Sequence, residues 1–289
     1  MEYILHILVI TGIYVILALS LNLIVGYTGL PALGHAAFSC IGAYTSSLLA
    51  LNWGFSPWVG LAAGACVAAL SGLVIGYPAI RLKGDYFALA TFGLGIIVYS
   101  VAKNWMVVTR GPMGLPGIPG FSLFGFGLSE TWSSLLLVAV FATVTVVVIG
   151  RIAHSPFGRV LMAVREDEIA AEALGKDTIK HKLLVFIIGA FFAGIAGSLY
   201  AHYITFIDPS SFTVMESLTV LLMVILGGMG TVSGSLLGAA ILVIIPELLR
   251  FTGMPSAIAA PARQMIYGLL LVALMLYRPQ GIIGAYKFK

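Results

Sequence analysis

The sequence predicts an all-α, polytopic transmembrane helical bundle, and three observations carry that prediction. Hydrophobic residues make up 60% of the 289 and charged residues only 9%, with a mean hydropathy of +1.08, far outside soluble-domain usage. Apolar runs of about 20 residues, the length that crosses a hydrocarbon core of ~30 Å, recur along the chain. Charge, by contrast, is condensed: 11 charged side chains fall between Arg151 and Lys182, in a chain whose totals are 15 Lys+Arg and 11 Asp+Glu. Residues 1–289 therefore read as one transmembrane domain with a soluble hub built into it.

Spans are expected near 4–25, 33–51, 57–79, 85–107, 133–152 and 183–204, followed by 213–249 and 261–278. The 213–249 region is too long for one simple span and is interrupted by Gly227-Gly228-Met229-Gly230. It is either two short helices joined at the membrane surface or a broken re-entrant pair. Two spans there bring the count to nine, within a range of eight to ten. Lys and Arg mark the cytoplasmic side, which places the Arg81/Lys83 turn, the 151–182 island and the tail with Arg278, Lys287 and Lys289 inside, and the N-terminus outside. The Gly/Pro-rich 108–132 loop then lies outside with Asp208 and residues 250–260. Arg110, Arg250 and Arg263 stand there against the rule, as outward-facing docking charges. The opening MEYILHILVI lacks a basic n-region and a small-residue cleavage site, so the first helix reads as retained.

Several function classes find no support in the residues. The net charge of +4 reports topology in a membrane protein, and no basic run interleaved with aromatics points to nucleic acid. Cys40 and Cys66 have neither CxxC nor metal-ligand spacing, and His6, His35, His154, His181 and His202 show no HExxH pattern. An ion-coupled carrier needs deep carboxylates, yet Asp85, Glu216 and Glu247 all fall near predicted helix ends. Asp85 is expected to cap or pair at the Arg81/Lys83 turn.

Inside the charged island, Ser155-Pro156-Phe157-Gly158-Arg159 carries the signals of a helix start, with Ser as N-cap and Pro at the first helical position. A second short helix follows. Asp167 and Glu168 stand at its beginning, Glu172 and Lys176 are four apart, and Gly175 supplies a stop. Ile169 with Ala173, and Ala170 with Leu174, form a narrow apolar strip. The consecutive acids Glu166, Asp167 and Glu168 suit an anionic lipid surface poorly, so the strip is better matched to a groove on a cytoplasmic partner.

The run SPFGRVLMAVREDEIAAEALGKDTIKHKLLVFIIGAFFAGIAGSLYA resembles the cytoplasmic loop and following helix of membrane permeases of ABC importers for branched-chain amino acids. LNLIVGYTGLPALGHAAFSCIGAY (21–44), RLKGDYFALATFG (81–93), ILGGMGTVSGSLLGA (225–239) and YRPQGIIG (277–284) resemble other parts of the same family, nearer its LivM than its LivH type. The resemblance implies an ATPase-coupling element formed by Arg159, Arg165, Glu166, Asp167, Ile169, Ala170, Ala171, Glu172, Ala173, Leu174 and Gly175. It also implies two separate ATPase subunits that hold ATP and Mg, a sister permease with a heterodimer favoured over a homodimer, an extracytoplasmic solute-binding protein, and residence in a bacterial or archaeal cytoplasmic membrane. The solute is expected to be a branched-chain or related hydrophobic amino acid; urea or a short amide is the alternative within the family.

The chain itself carries no nucleotide loop. Gly29-Leu30-Pro31-Ala32-Leu33-Gly34 has the glycine spacing of a phosphate loop, but His35 and Ala36 stand where Lys and Ser/Thr are needed. No catalytic residue, cofactor or metal is expected in it. The same glycines have another reading, because Gly26, Gly29 and Gly34 interrupt the early helices as Gly227, Gly230 and Gly234 interrupt the late ones. Paired breaks in a transporter point to a central pathway, where unwound backbone offers polar groups to solute. On that basis Thr28, Gly29, Gly34, His35, Phe38, Gly227, Gly230, Thr231 and Ser233 are the candidate pathway residues. Close helix packing through the glycines is the competing explanation.

Overall fold

Apolar side chains on every face of the first helix dictate where it sits. In the computed structural model, α1 (Glu2–Thr28) has every residue from Val15 to Thr28 buried, as a helix without a polar stripe requires. The structure describes residues 2–82, 84–123, 126–127, 131–250, 265–266, 268–270, 272, 276–278 and 280–284. A second buried helix, α9 (Thr178–Ile204), lies beside α1, and together they form the axis of the bundle. α2 (His35–Trp53) and α3 (Pro57–Ala79) pack on α9, while α6 (Thr131–His154) covers α1 from outside. The outer surface of α6 exposes Leu136, Val140, Val144 and Val147, the face expected of a helix that meets lipid.

Small residues set the α2/α3/α9 crossing. A Cβ added at Gly194 would stand 2.6 Å from the Ala68 Cβ and 3.0 Å from the Gly64 carbonyl oxygen, so these backbones touch. The Ser198 hydroxyl lies in the same seam, 2.9 Å from the Gly194 carbonyl and 3.1 Å from that of Gly42.

α4 (Asp85–Asn104) leads through the short α5 (Met106–Thr109) into the Gly/Pro-rich loop. That loop departs from the all-α expectation, because Gly114 at φ +69° and its neighbouring prolines cannot continue a helix. β1 (Leu115–Pro116) instead pairs antiparallel with β4 (Phe206–Ile207), and β2 (Ser122–Leu123) with β3 (Phe126–Gly127). His202 Nδ1 donates to the Pro119 carbonyl at 2.7 Å and Trp58 Nε1 to that of Ser122 at 2.8 Å, which ties the loop across the ends of α9 and α3.

At the opposite end, α7 (Pro156–Glu166) and α8 (Glu168–Ala173) fill the island, and α10 (Val214–Gly227) and α11 (Val232–Arg250) form a close pair near α1. Among the described residues, five helices are long and apolar enough to cross a membrane by themselves: α1, α3, α4, α6 and α9. α2 carries Ser, Thr and Asn on a helix that protein covers on most sides, and α10 is a short apolar helix of 14 residues. The expected ninth span and Arg263 lie wholly or largely outside the described residues, as do Lys83, Lys287 and Lys289. Asp85 stands in the first turn of α4 without a side-chain cap, since Gly84 is the N-cap. Arg81 turns to Tyr77 instead, donating to its hydroxyl at 2.6 Å across the face of the ring.

Candidate functional site

The charged island folds as its capping residues dictate. Ser155 caps α7 by accepting from the Gly158 amide, with Pro156 at the first helical position. Asp167, in extended conformation, ends α7 and begins α8, its Oδ1 accepting from the Ala170 amide at 2.9 Å. Gly175 takes φ +75° after α8, and Asp177 then caps α9 through the Lys180 amide at 3.0 Å. The Lys180 side chain also bonds the Asp177 carboxylate and holds it below its usual range. The result is a rigid helical hairpin with three caps in 23 residues of chain, from Ser155 to Asp177.

Several charges within the hairpin brace it. Lys182, nearly buried, meets Glu168 at 2.6 Å, and the Thr178 hydroxyl lies 2.7 Å from Glu172 Oε1 and 3.3 Å from Glu168 Oε1. Glu172 therefore turns to Thr178, not to the Lys176 its helical spacing suggested. Phe157 of α7 stacks on His181 of α9 at 5.2 Å, closing the other side. What remains exposed is the apolar strip: Ile169 is 76% and Leu174 79% accessible, with Ala170 and Ala173 open between them. Arg159, Glu166, Asp167, Glu172 and Gly175 are also exposed. Ala171 is not part of this face, because at 2% exposure it is the side by which α8 rests on its neighbours.

Arg165 corrects the expectation that it belongs to the docking surface. Its side chain is only 13% exposed and runs inward, donating from Nη1 to the Gly26 carbonyl at 2.5 Å. A Cβ on Gly29 would lie 2.9 Å from the Arg165 Cγ, and one on Gly230 2.9 Å from its Nη1. Arg165 thus occupies the angle between the early and the late glycine breaks. Asn22, which sequence reasoning passed over, completes the joint. Its Nδ2 donates to the Thr231 carbonyl at 2.9 Å while its Oδ1 accepts from the Gly230 amide at 2.9 Å. A lone Asn in an apolar run was the available signal, since a buried amide needs partners.

The breaks meet, and several backbone groups at and beside them bond to protein. Leu33 N–H bonds Thr91 Oγ1 at 3.0 Å and Ala36 N–H bonds Ser217 Oγ at 2.9 Å, while the α10 end carbonyls of Leu226 and Gly227 accept from Ile282 and Ile283. Residues 29–34 climb back beside α1 until His35 Nε2 lies 2.7 Å from Ser20 Oγ, about 12 Å above the end of that helix. Thr28 is buried and bonds the Ile24 carbonyl, and Phe38 packs edge-on against Phe186 at 5.3 Å. Gly34 abuts the Thr91 carbonyl and Gly227 that of Gly234, both too closely for a side chain. Thr28, Gly34, His35, Phe38 and Gly227 are thereby enclosed in helix packing. Gly29 and Ser233 are exposed, and Gly230 and Thr231 half-buried.

Residues 3–275 match the family described as "Branched-chain amino acid transport system / permease component". The chain is 40% identical, over 94% of its length and 68% of the relative's, to "High-affinity branched-chain amino acid transport system permease protein LivM" of Escherichia coli (strain K12). It is 29% identical to "Probable branched-chain amino acid transport permease protein LivM" of Methanocaldococcus jannaschii, over 94% and 90% of the two chains. Identity to the LivH protein of Escherichia coli (strain K12) is 25%, over 94% and 91%. Among solved structures, a chain of "PsaBC from Streptococcus pneumoniae in complex with Fab" is similar with a TM-score of 0.48 and 14% identity, covering 95% of this chain and 91% of that one.

Proposed function

Because the chain belongs to the family of branched-chain amino acid transport permease components, we propose that it forms one half of the translocation path of an ABC importer in the cytoplasmic membrane. The solute is a branched-chain amino acid. A distinct sister permease supplies the other half, two ATPase subunits dock on the cytoplasmic side, and an extracytoplasmic binding protein delivers the solute. The observation that carries this reading is the inward reach of Arg165 from the exposed hairpin to both glycine breaks.

Force then passes by direct contact. The ATPase grips the strip of Ile169, Ala170, Ala173 and Leu174, and the Lys182–Glu168 and Thr178–Glu172 contacts keep the hairpin from deforming under it. Movement of α7 drags Arg165, and with it the end of α1 at Gly26 and the turn at Gly230. Those two breaks, with Gly29, Thr231 and Ser233, border the inner mouth of the path. Nine spans with the hairpin inside and the 108–132 loop outside follow the positive charge of the Arg81 turn, the 151–182 island and the tail, with Arg110, Arg250 and Arg263 as the exceptions.

Replacing both Ile169 and Leu174 by Asp tests the docking face. Detergent extracts should lose co-purifying ATPase, identified by mass spectrometry, and uptake of labelled leucine should fall to background, while membrane insertion and the melting temperature of the chain stay unchanged. Full ATPase recovery would overturn the assignment. Uptake of urea in place of leucine by the intact wild-type complex would overturn the solute.

A further inference from the structure

At the end of the bundle away from the hairpin, α1, α2, α9, α10 and the turn Pro209–Phe212 line a partly open cavity of about 150 Å³. At ~10–15 Å³ per water it holds about ten waters, or one small organic molecule. Its wall is divided by chemistry. Ile13, Leu17 and Phe212 form an apolar side, Tyr200 presents a phenol, and Glu216 is the one ionisable carboxylate lining it among the described residues.

Glu216 is held in place from across the cavity. The Tyr14 hydroxyl donates to its Oε1 at 2.5 Å, so the carboxylate is fixed between the first turn of α10 and the middle of α1. We propose that this cavity is an outer waypoint for the solute, in which Glu216 binds the ammonium group of a free amino acid and Ile13, Leu17 and Phe212 receive its apolar side chain. A carboxylate fixed opposite an apolar patch attracts a cation by a charge-assisted contact, and the hydroxyls of Ser39, Ser210 and Ser211 in the same wall offer the solute further polar partners. Tyr200 can donate to the solute's carboxylate. Position adds a reason: Leu17 lies on the same helix as Asn22, about 8 Å along the axis, so a shift of α1 at the glycine joint reshapes the cavity wall.

This inference rests on the importer reading, and the experiment separates the two. The intact importer, reconstituted in nanodiscs without its binding protein, is titrated with labelled leucine and with the oxo-acid analogue that lacks the amino group. Wild type should bind leucine about tenfold or more tighter than the analogue, and Glu216→Gln should abolish that preference while analogue binding stays constant. Tyr14→Phe, which removes the interhelix bond but keeps the charge, should retain leucine binding within about threefold. Persistence of the preference in Glu216→Gln, or equal losses for both compounds in both variants, would overturn the site. If wild type imports leucine yet the variant keeps its preference, only the site fails; if wild type neither imports nor binds leucine, the importer reading fails and the site with it.

Discussion

Two side chains connect parts of the sequence that periodicity treats as separate. Arg165 reaches the end of α1 from 139 positions away and Asn22 reaches Gly230 across 208. For Arg165 the forked guanidinium matters, because Nη1 meets the Gly26 carbonyl beside Gly230 while Nη2 donates to Glu166 at 3.2 Å. Arg165→Lys keeps the charge and loses the fork. Leucine uptake by the assembled importer should fall about tenfold or more, with ATPase recovery intact, since a hydrogen bond from a charged group contributes ~1.5–3 kcal/mol. Loss of ATPase recovery would return Arg165 to the docking surface. Sequence spacing located Arg165 in the right helix but not its direction, because which face of α7 turns inward depends on where α1 ends. The glycines at 26, 29, 227 and 230 were legible as breaks; that the break at Gly26 meets the one at Gly230 depended on Asn22 and Arg165, long-range partners that no local pattern announces.

At the scale of the element, the hairpin was the most readable part of the chain. Ser155, Asp167 and Gly175 each act within four residues of where they stand, so capping chemistry suffices to place α7 and α8, whereas α9 begins at Thr178 under an Asp177 cap, five residues before the expected span at 183. Bracing by Lys182 and Thr178 was not readable, since it joins two helices whose relative angle the sequence leaves open. A pH prediction belongs to the Asp177 cap. Its carboxyl is depressed by the Lys180 side chain first and the Lys180 amide second, so the cap's contribution is complete above the ordinary value of 3.8 and is lost as pH falls through the lower folded value. Amide exchange at Lys180, corrected for intrinsic rates, should hold constant across neutral pH and accelerate only in that acidic window. Asp177→Asn should remove the acid-dependent step; an unchanged profile would exclude the cap as its origin.

Across the whole molecule, the class and most helix positions followed from composition and ~20-residue apolar runs, whereas the number of spans did not. α2 is too polar and α10 too short to cross unaided, and both are accommodated because protein surrounds them. The α2/α3/α9 seam is the structural condition for that. Gly194→Leu places a branched side chain where Ala68 and the Gly64 carbonyl already lie, so the protein should insert but melt well below wild type and lose ATPase recovery by a global route; a melt like that of wild type would mean the seam can open. Asn22 has a further consequence, for biosynthesis. Its partners Gly230 and Thr231 are translated 208 and 209 positions later, so at ~5–20 residues per second α1 waits in the bilayer for roughly 10–40 s with a polar amide unsatisfied by its final partners. The early helix therefore stays without its closing contacts until the late helices arrive, and a chain halted before Gly230 leaves the Asn22 amide without the partners it has in the finished fold.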